Sequence, residues 1–410
     1  MPLNEPVTLV GAGIAGLATA VALRSRGAVH APVQVLDQAS ALEEVGAGIQ
    51  LGPNAVRRLR AWGLGPALTA VACEPSAVRA RSAWTGEVLA VLPLGESFAQ
   101  RYGAPYCTVH RGDLHALLAH AARGQGVDLR TRCRVLGLRQ QDHQVLIDVE
   151  GASPISSPWV AGCDGLWSRV RSSVLGAAVP PPSPTPTGHV ALRALLPRHK
   201  VPPSVDTDGV TVWMGPRLHV VGYPVQAGTT YNLVAFVQGT SQQIEEASEA
   251  QRSAWDGAAP AHWMAEHLPA MASPLRDLLR AAENWRLWVM HDRAPMNGPW
   301  CHGSGRVALL GDAAHPMRPY LAQGAAMALE DADALAQAMA THTDAIGQAD
   351  PIAAVRQFCD TRWARNARVQ AQARRNGRLF HATGLMRWGR DAALRVAGTH
   401  LMDSPWLYAG

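Results

Sequence analysis

Cysteine is sparse in this 410-residue chain, and the six present, at 73, 107, 133, 163, 301 and 359, never form a CxxC pair. That scatter excludes a zinc ribbon and offers no disulfide framework, so reduced thiols in a cytoplasmic protein are the expectation. Charge is scarce as well: charged residues make up 17% against 48% apolar, a balance that excludes a disordered chain and supplies a large core. No basic run alternates with aromatics, which excludes a nucleic-acid partner. The net charge of +5 leaves only a mild field that attracts anions. Histidines and carboxylates show no ligand spacing, so no metal is expected. No stretch has the length and flanks of a membrane span. The apolar run VTLVGAGIAGLATAVAL at 7–23 imitates a signal-peptide core, but the MPLNEP before it carries a Glu and no Lys or Arg, contrary to a signal's basic start.

The glycines inside that run have another reading. VTLV at 7–10 is a β-branched strand, GAGIAG a turn, LATAVALRSRG a helix ending at Gly27, and VQVLD at 33–37 a second strand with an acidic end. In this order Gly11 permits the tight turn, Gly13 lets the backbone approach a pyrophosphate, and Gly16 lets helix pack on strand. The helix N-terminus offers free N–H groups to the phosphates, and Asp37 is placed for a ribose hydroxyl. GAGIQLG at 46–52 and GSGRVALLG at 303–311 lack the preceding strand, so they are loop glycines rather than second dinucleotide turns. One tightly held dinucleotide is expected, either NAD or FAD.

Two further stretches decide between them. WVAGCDGLWSRVR at 159–171 carries Asp164, Gly165, Ser168 and Arg171. RVALLGDAAHPMRPYLAQGAAMALEDADAL, from 306, runs from a strand through Gly311, Asp312, His315, Pro316 and Pro319 to a helix at Gly324. With GAGIAG, these motifs resemble over almost the whole chain the class A flavoprotein aromatic hydroxylases, in the branch of salicylate hydroxylase, 3-hydroxybenzoate 6-hydroxylase and 6-hydroxynicotinate 3-monooxygenase. The resemblance implies an α/β fold: a Rossmann-like FAD-binding domain (1–178, with 73–101 contributing to the substrate side), a mainly antiparallel substrate sheet (179–286), a return to the FAD domain (287–355) and a helical tail (356–410).

It also implies FAD as cofactor, NADH or NADPH as transient reductant, O2 and a small aromatic as substrates, and hydroxylation through a flavin C4a-hydroperoxide. Cofactor contacts carry over to Gly11, Gly13, Ala15, Gly16, Asp37, Gln38, Gly48, Arg111, Val135, Asp164, Gly311, Asp312, Gly324 and Ala325. Asp312 would take ribityl hydroxyls, the prolines would stiffen the loop beside the flavin ring, and the helix from Gly324 would aim its N-terminus at the pyrimidine edge, where it favours negative charge. His315 beside its proline could simply be hydrogen-bonded locally.

On the substrate side HVALRALLP, GVTVWMG, LHVVGYPV and TTYNLVAFVQ alternate as antiparallel strands. His219 and Tyr223, four apart on one strand, share a face with Val221. Relatives line their pocket with a His and Tyr at this spacing, which assigns His219 and Tyr223 the work of favouring a phenolate. A core His and an interfacial Tyr are the plain alternative. Gln50 stands where the hydroxynicotinate enzymes carry a histidine, which disfavours a hydroxypyridine. Arg318, beside Pro319, either pairs with a substrate carboxylate or points to solvent. The arginines of WARNARVQAQARRNGRLF read as a solvated helix face. The expected function is hydroxylation of a salicylate- or 3-hydroxybenzoate-like acid by a monomer or homodimer. A larger or heteroaromatic substrate, or a flavin dehydrogenase on the same fold, stands as the alternative.

Overall fold

The computed structural model describes residues 6–42, 47–175, 183–253, 263, 268–342 and 350–410, without the side chains of 250–253. MPLNEP and the proline-rich connection at 180–188 lie partly outside these ranges.

Strand Val7–Val10 is buried along its length, as a four-residue β-branched run in a parallel sheet must be. It pairs in parallel with Val33–Leu36 on one side and Val160–Gly162 on the other. Val307–Leu309 and Asp128–Arg130 extend the sheet in parallel, and the short Gly303–Ser304 adds an antiparallel edge. Helix Ile14–Ser25, in which Ala, Gly and Leu predominate, and helix Gly324–Thr341 pack together over this sheet. The strand ends that carry Gly11, Asp37, Cys163 and Leu310 therefore open at one edge, where open α/β sheets bind ligands.

The second layer is a seven-stranded sheet in the order Arg286–Asp292, Thr185–Pro197, Thr230–Gln238, Leu218–Val225, Val210–Gly215, Ala77–Ser82, Val88–Pro93. All neighbours are antiparallel except Val210–Gly215 beside Ala77–Ser82. Alternation divides its faces. Leu192, Trp213, Leu218, Val220, Ala235 and Val237 form an outer core with helix Ser273–Ala281. Ala191, His219, Val221, Val234 and Phe236 face inward toward the flavin-domain side.

Two expected boundaries move. The sheet continues through Arg286–Asp292, so the chain returns to the first layer after residue 292 rather than at 287. The tail helix begins at Pro351, where Asp350 accepts hydrogen bonds from Ile352 and Ala353 and caps the N-terminus. That helix, Pro351–Phe380, is no solvated arginine face. Arg362 is buried, Arg365 holds Glu330 by two hydrogen bonds (2.6 and 2.8 Å), Arg374 reaches Asp292 at 2.9 Å, and Arg368 covers the Trp406 ring. The arginine pattern resembled an exposed stripe because the acids it meets lie 31 to 82 residues earlier.

Candidate active site

The three motifs meet in space. Gly11 has φ +101°, a region that only glycine occupies without cost, and a side chain there would collide with the Cys163 carbonyl. Gly16 lies against the Gly11 carbonyl, and Gly13 caps helix Ile14–Ser25. Asp37 accepts the Ala12 N–H at 2.6 Å and that of Ala39 at 2.8 Å, so the acidic end of the second strand sits beside the glycine turn. Ala15 touches the third motif: any side chain on Gly311, itself at φ +57°, would press on its methyl.

Asp164 is committed to its own turn. Its carboxylate accepts Ser168 Oγ–H at 2.5 Å and the Arg169 and Val170 N–H groups, capping helix Arg169–Leu175. Burial nevertheless pushes its carboxyl pKa up. The consequence is reached through Arg171, whose guanidinium donates to the carbonyls of Ala313 (3.1 Å) and Ala314 (2.8 Å) and so clamps the Gly-Asp loop. Asp164 thus also shapes the site through Ser168 and Arg171.

Asp312 has no such commitment. Its side chain is exposed in the cleft and none of the described residues donates to it. The surrounding protein still raises its carboxyl pKa, opposed by His315 and Arg111. Arg111 opens helix Arg111–Gly124 with His110 as its cap, and the Arg111 N–H donates to Ala47. The loop then runs through a single turn at Pro319–Leu321 to Ala322, whose φ of +52° is unusual for a residue with a Cβ and costs about 1–3 kcal/mol. That bend releases helix Gly324–Thr341, and a side chain built on Gly324 would meet nothing within 4 Å. Gly324 and Ala325 thus present a helix N-terminus to open space beside Asp312. Val135 lies in the core with Val10 and Leu36, and Gln38 is exposed beyond the second strand.

Beneath the loop lies a buried network that motif reading did not reveal. His315 Nε2–H donates to Asp331 Oδ2 at 2.5 Å, and that carboxylate also accepts the Gly311 N–H, Arg362 Nε–H and Asn366 Nδ2–H. Arg362 bonds Glu330 at 2.8 Å, Asn54 donates to Glu330 and Gln323, and His302 sits between Asn366 and the Leu309 carbonyl. Although burial opposes it, Arg365 and Arg362 hold the Glu330 carboxyl down at about 2, and His315 and Arg362 lower Asp331 further. His302, His315 and Asp331 bring ligand-type atoms within 4.8 Å of one another, a cluster that sequence spacing concealed. Four donors saturate Asp331, so the cluster is a hydrogen-bonded strut. The Glu-Asp pair in the quoted ALEDADAL was the available signal, since adjacent acids facing a core require partners.

The inner face of the sheet holds the rest. His219, Val221 and Tyr223 do share it, yet the two polar residues lie in different company. His219 is 1% exposed, stacks on Phe236 (centroids 4.5 Å, 14°) and bonds His381 with its Nδ1 2.6 Å from Nε2. Burial, with His381 and His189, pushes its pKa well below the usual range, which corrects the expected near-neutral value. The Gln50 amide donates toward the Tyr223 hydroxyl while its Oε1 accepts the Tyr106 hydroxyl at 2.7 Å, and Tyr223 packs against Gly48 where no side chain would fit. Arg318 is held by the protein through one nitrogen: its Nε–H donates to Asp292 at 2.9 Å, and that carboxylate also holds Arg374. Two guanidinium groups on one carboxylate leave net positive charge beside His189 and His381.

The comparisons bear on this geometry. Residues 4–354 match the family model described as FAD binding domain. The chain is 34% identical over 391 residues to the 3-hydroxybenzoate 6-hydroxylase of Polaromonas naphthalenivorans (strain CJ2), covering 95% of this chain and 92% of that one. It is 36% identical over 405 residues to a 3-amino-4-hydroxybenzoate 2-monooxygenase of Streptomyces cremeus, covering 98% and 94%. The chain belongs to the FAD-dependent aromatic monooxygenases. Its fold matches a salicylate hydroxylase substrate complex with TM-score 0.80 at 24% identity, over 99% of this chain and 95% of the other. Like other members, this flavoprotein monooxygenase binds FAD, and the residues present fit it: a glycine turn with an acidic neighbour, an uncommitted Asp312, and a bare helix N-terminus at Gly324.

Proposed function

We propose that this monooxygenase hydroxylates a small phenolic acid, a hydroxybenzoate bearing one carboxylate, with NADH or NADPH as electron donor and O2 as oxidant. The observation that carries the reading is the inner sheet face. It sets a Tyr223–Gln50–Tyr106 hydrogen-bonded group and a His219–His381 pair on one apolar surface, with the Arg318–Arg374–Asp292 cluster adding net positive charge. Relatives named for hydroxybenzoates and aminohydroxybenzoates support the same class. The bound flavin supplies electron transfer and oxygen activation.

Gly11, Gly13, Gly16 and Asp37 would hold the dinucleotide end of FAD, Asp312 and Arg111 its middle, and Gly324 and Ala325 the ring edge, with Pro319 closing the loop beside it. The chain's own chemistry is to hold the acid, exclude water and favour its phenolate. His219 Nε2 has no hydrogen-bond partner among the described residues, while Nδ1 faces His381. For Nε2 to accept a phenol proton, Nδ1 must carry hydrogen and donate to His381 Nε2, which fixes both tautomers. His219 is a weak base in this setting, and a substrate carboxylate alongside raises its proton affinity. The alkyl and aromatic walls, Val221, Val234, Phe236 and Tyr320, keep the ring in a dry space.

The test is NADH and NADPH oxidation by the flavin-loaded protein with a panel of hydroxybenzoates, with peroxide and product quantified. Acceleration with little peroxide and one added oxygen on the ring is the expected result. Acceleration with stoichiometric peroxide, or none with any phenolic acid, would sink the substrate assignment.

A further inference from the structure

At the free edge of the seven-stranded sheet a cavity of about 430 Å³ opens between Ala47 of the flavin layer and the end of strand Thr185–Pro197. Among the described residues its lining includes Arg193, Lys200, Arg286 and Glu283, and one broad aromatic surface, Trp288. Lys200 is the only lysine in the sequence. Arg193 lies over the Trp288 ring at 4.7 Å, and its buried Nε has no hydrogen-bond partner among the described residues. Burial, with the Arg111 charge adding to it, draws the Arg193 pKa down to about 10. Arg111 also acts on Asp312, so one charge relates the cavity to the flavin cleft.

We propose that this cavity is the transient docking site of the nicotinamide dinucleotide, with Arg193, Lys200 and Arg286 taking its pyrophosphate and Trp288 offering a stacking surface to one of its rings. The inference rests on reading the protein as a nicotinamide-consuming monooxygenase. Arg193 and Lys200 beside the Trp288 ring suit a ligand that carries phosphate and an aromatic ring together, since phosphate oxygens accept from several donors at once. The volume lies in the range of small-molecule sites, and two of the cations, Lys200 and Arg286, are exposed where a ligand arrives from solvent. An exposed, loosely bound site needs no glycine turn, which accounts for a chain with one dinucleotide fingerprint and two dinucleotides in its reaction. It also gives the mildly basic surface a use, since cations at a mouth speed the arrival of an anionic ligand.

The experiment is anaerobic stopped-flow reduction of the FAD-loaded protein by NADH and by NADPH, for the wild type and for Lys200→Gln and Arg286→Gln. Arg387→Gln, on the distant C-terminal helix, controls for the lost charge. Each cavity variant is expected to raise the dissociation constant of the reductant roughly tenfold, with the limiting reduction rate kept and dithionite reduction unaltered. The constant for the aromatic acid, read from its perturbation of flavin absorbance, is expected to stay put. An unchanged reductant constant in both variants would overturn the proposal, as would a weakened aromatic acid in place of the reductant. Reduction is read without turnover, so a protein that is reduced normally yet hydroxylates no phenolic acid would refute only the substrate reading. A wild type that neither nicotinamide reduces would overturn both.

Discussion

Acidification to about pH 5 should destabilise this protein through its buried imidazoles, well before its carboxylates matter. His381 and His302 are held neutral inside the fold: burial, with His189, Arg390 and Arg318, lowers the first to about 3, and burial lowers the second to about 4 despite Asp331. In the unfolded chain each titrates near 6.5. The folded pKa lies below the unfolded one, so the unfolded state binds more protons between them. Stability is therefore full above about pH 6.5 and falls as pH drops toward the folded values. From 6.5 to 5 is ~1.5 pH units, and at ~1.4 kcal/mol per unit each histidine removes ~2 kcal/mol, or ~4 kcal/mol together. Glu330 and Asp331 have depressed pKa values, so their contribution is kept at pH 5 and declines only below about pH 4.5. Urea unfolding at about pH 7.5 and about pH 5 measures the difference directly, and His381→Gln should lower it by the ~2 kcal/mol that this imidazole contributes. Equal unfolding free energies at the two pH values, within ~1 kcal/mol, would refute the neutral-imidazole account.

Two substitutions probe the site itself. Arg362→Met strips Asp331 and Glu330 of a shared cation and should cost about 3–5 kcal/mol, because it leaves buried carboxylate charge less compensated; a loss under ~1 kcal/mol in urea unfolding, with flavin still retained, would contradict the network. Gly11→Ala places a methyl against the Cys163 carbonyl at φ +101°, so the purified protein should emerge without yellow flavin while keeping its far-ultraviolet circular dichroism.

What could be read from the sequence was what local chain geometry dictates. GAGIAG, with a β-branched run before it and an acid at the end of the next strand, specifies turn, helix and an acidic strand end within 31 residues, and Asp37 lies beside the glycine turn where the spacing put it. The helix start at Gly324 was equally legible, since Pro319 and Gly324 bracket a loop that cannot continue a helix. Alternation placed His219, Val221 and Tyr223 on one face because period two is a local property. The partners of those residues were not legible. His381 lies 162 residues from His219, Asp292 lies 26 from Arg318, and Asn54 lies 276 from Glu330. No periodicity encodes such pairs, and a histidine's proton affinity depends on them more than on its own neighbours.

That division explains why the helical tail, unremarkable as sequence, decides so much of the site. Helix Pro351–Phe380 supplies Arg362, Arg365, Asn366, Gln370 and Arg374, and its end supplies His381. Arg362 and Asn366 fix Asp331, which fixes the Gly311 N–H and His315; Gln370 donates to the Pro316 carbonyl at 2.9 Å; Arg374 shares Asp292 with Arg318. The Gly-Asp loop is therefore tied to one helix, directly or through Asp331 and Asp292, from Gly311 to Arg318 and is strained at its far end, Ala322, while Arg171 holds it from the other side. A loop so held can present Asp312 with no hydrogen-bond donor among the described residues, because the strut rather than Asp312 supports the backbone. The open carboxylate for a cofactor is possible only because Asp331, 19 residues on and fully buried, accepts the bonds that the loop itself requires.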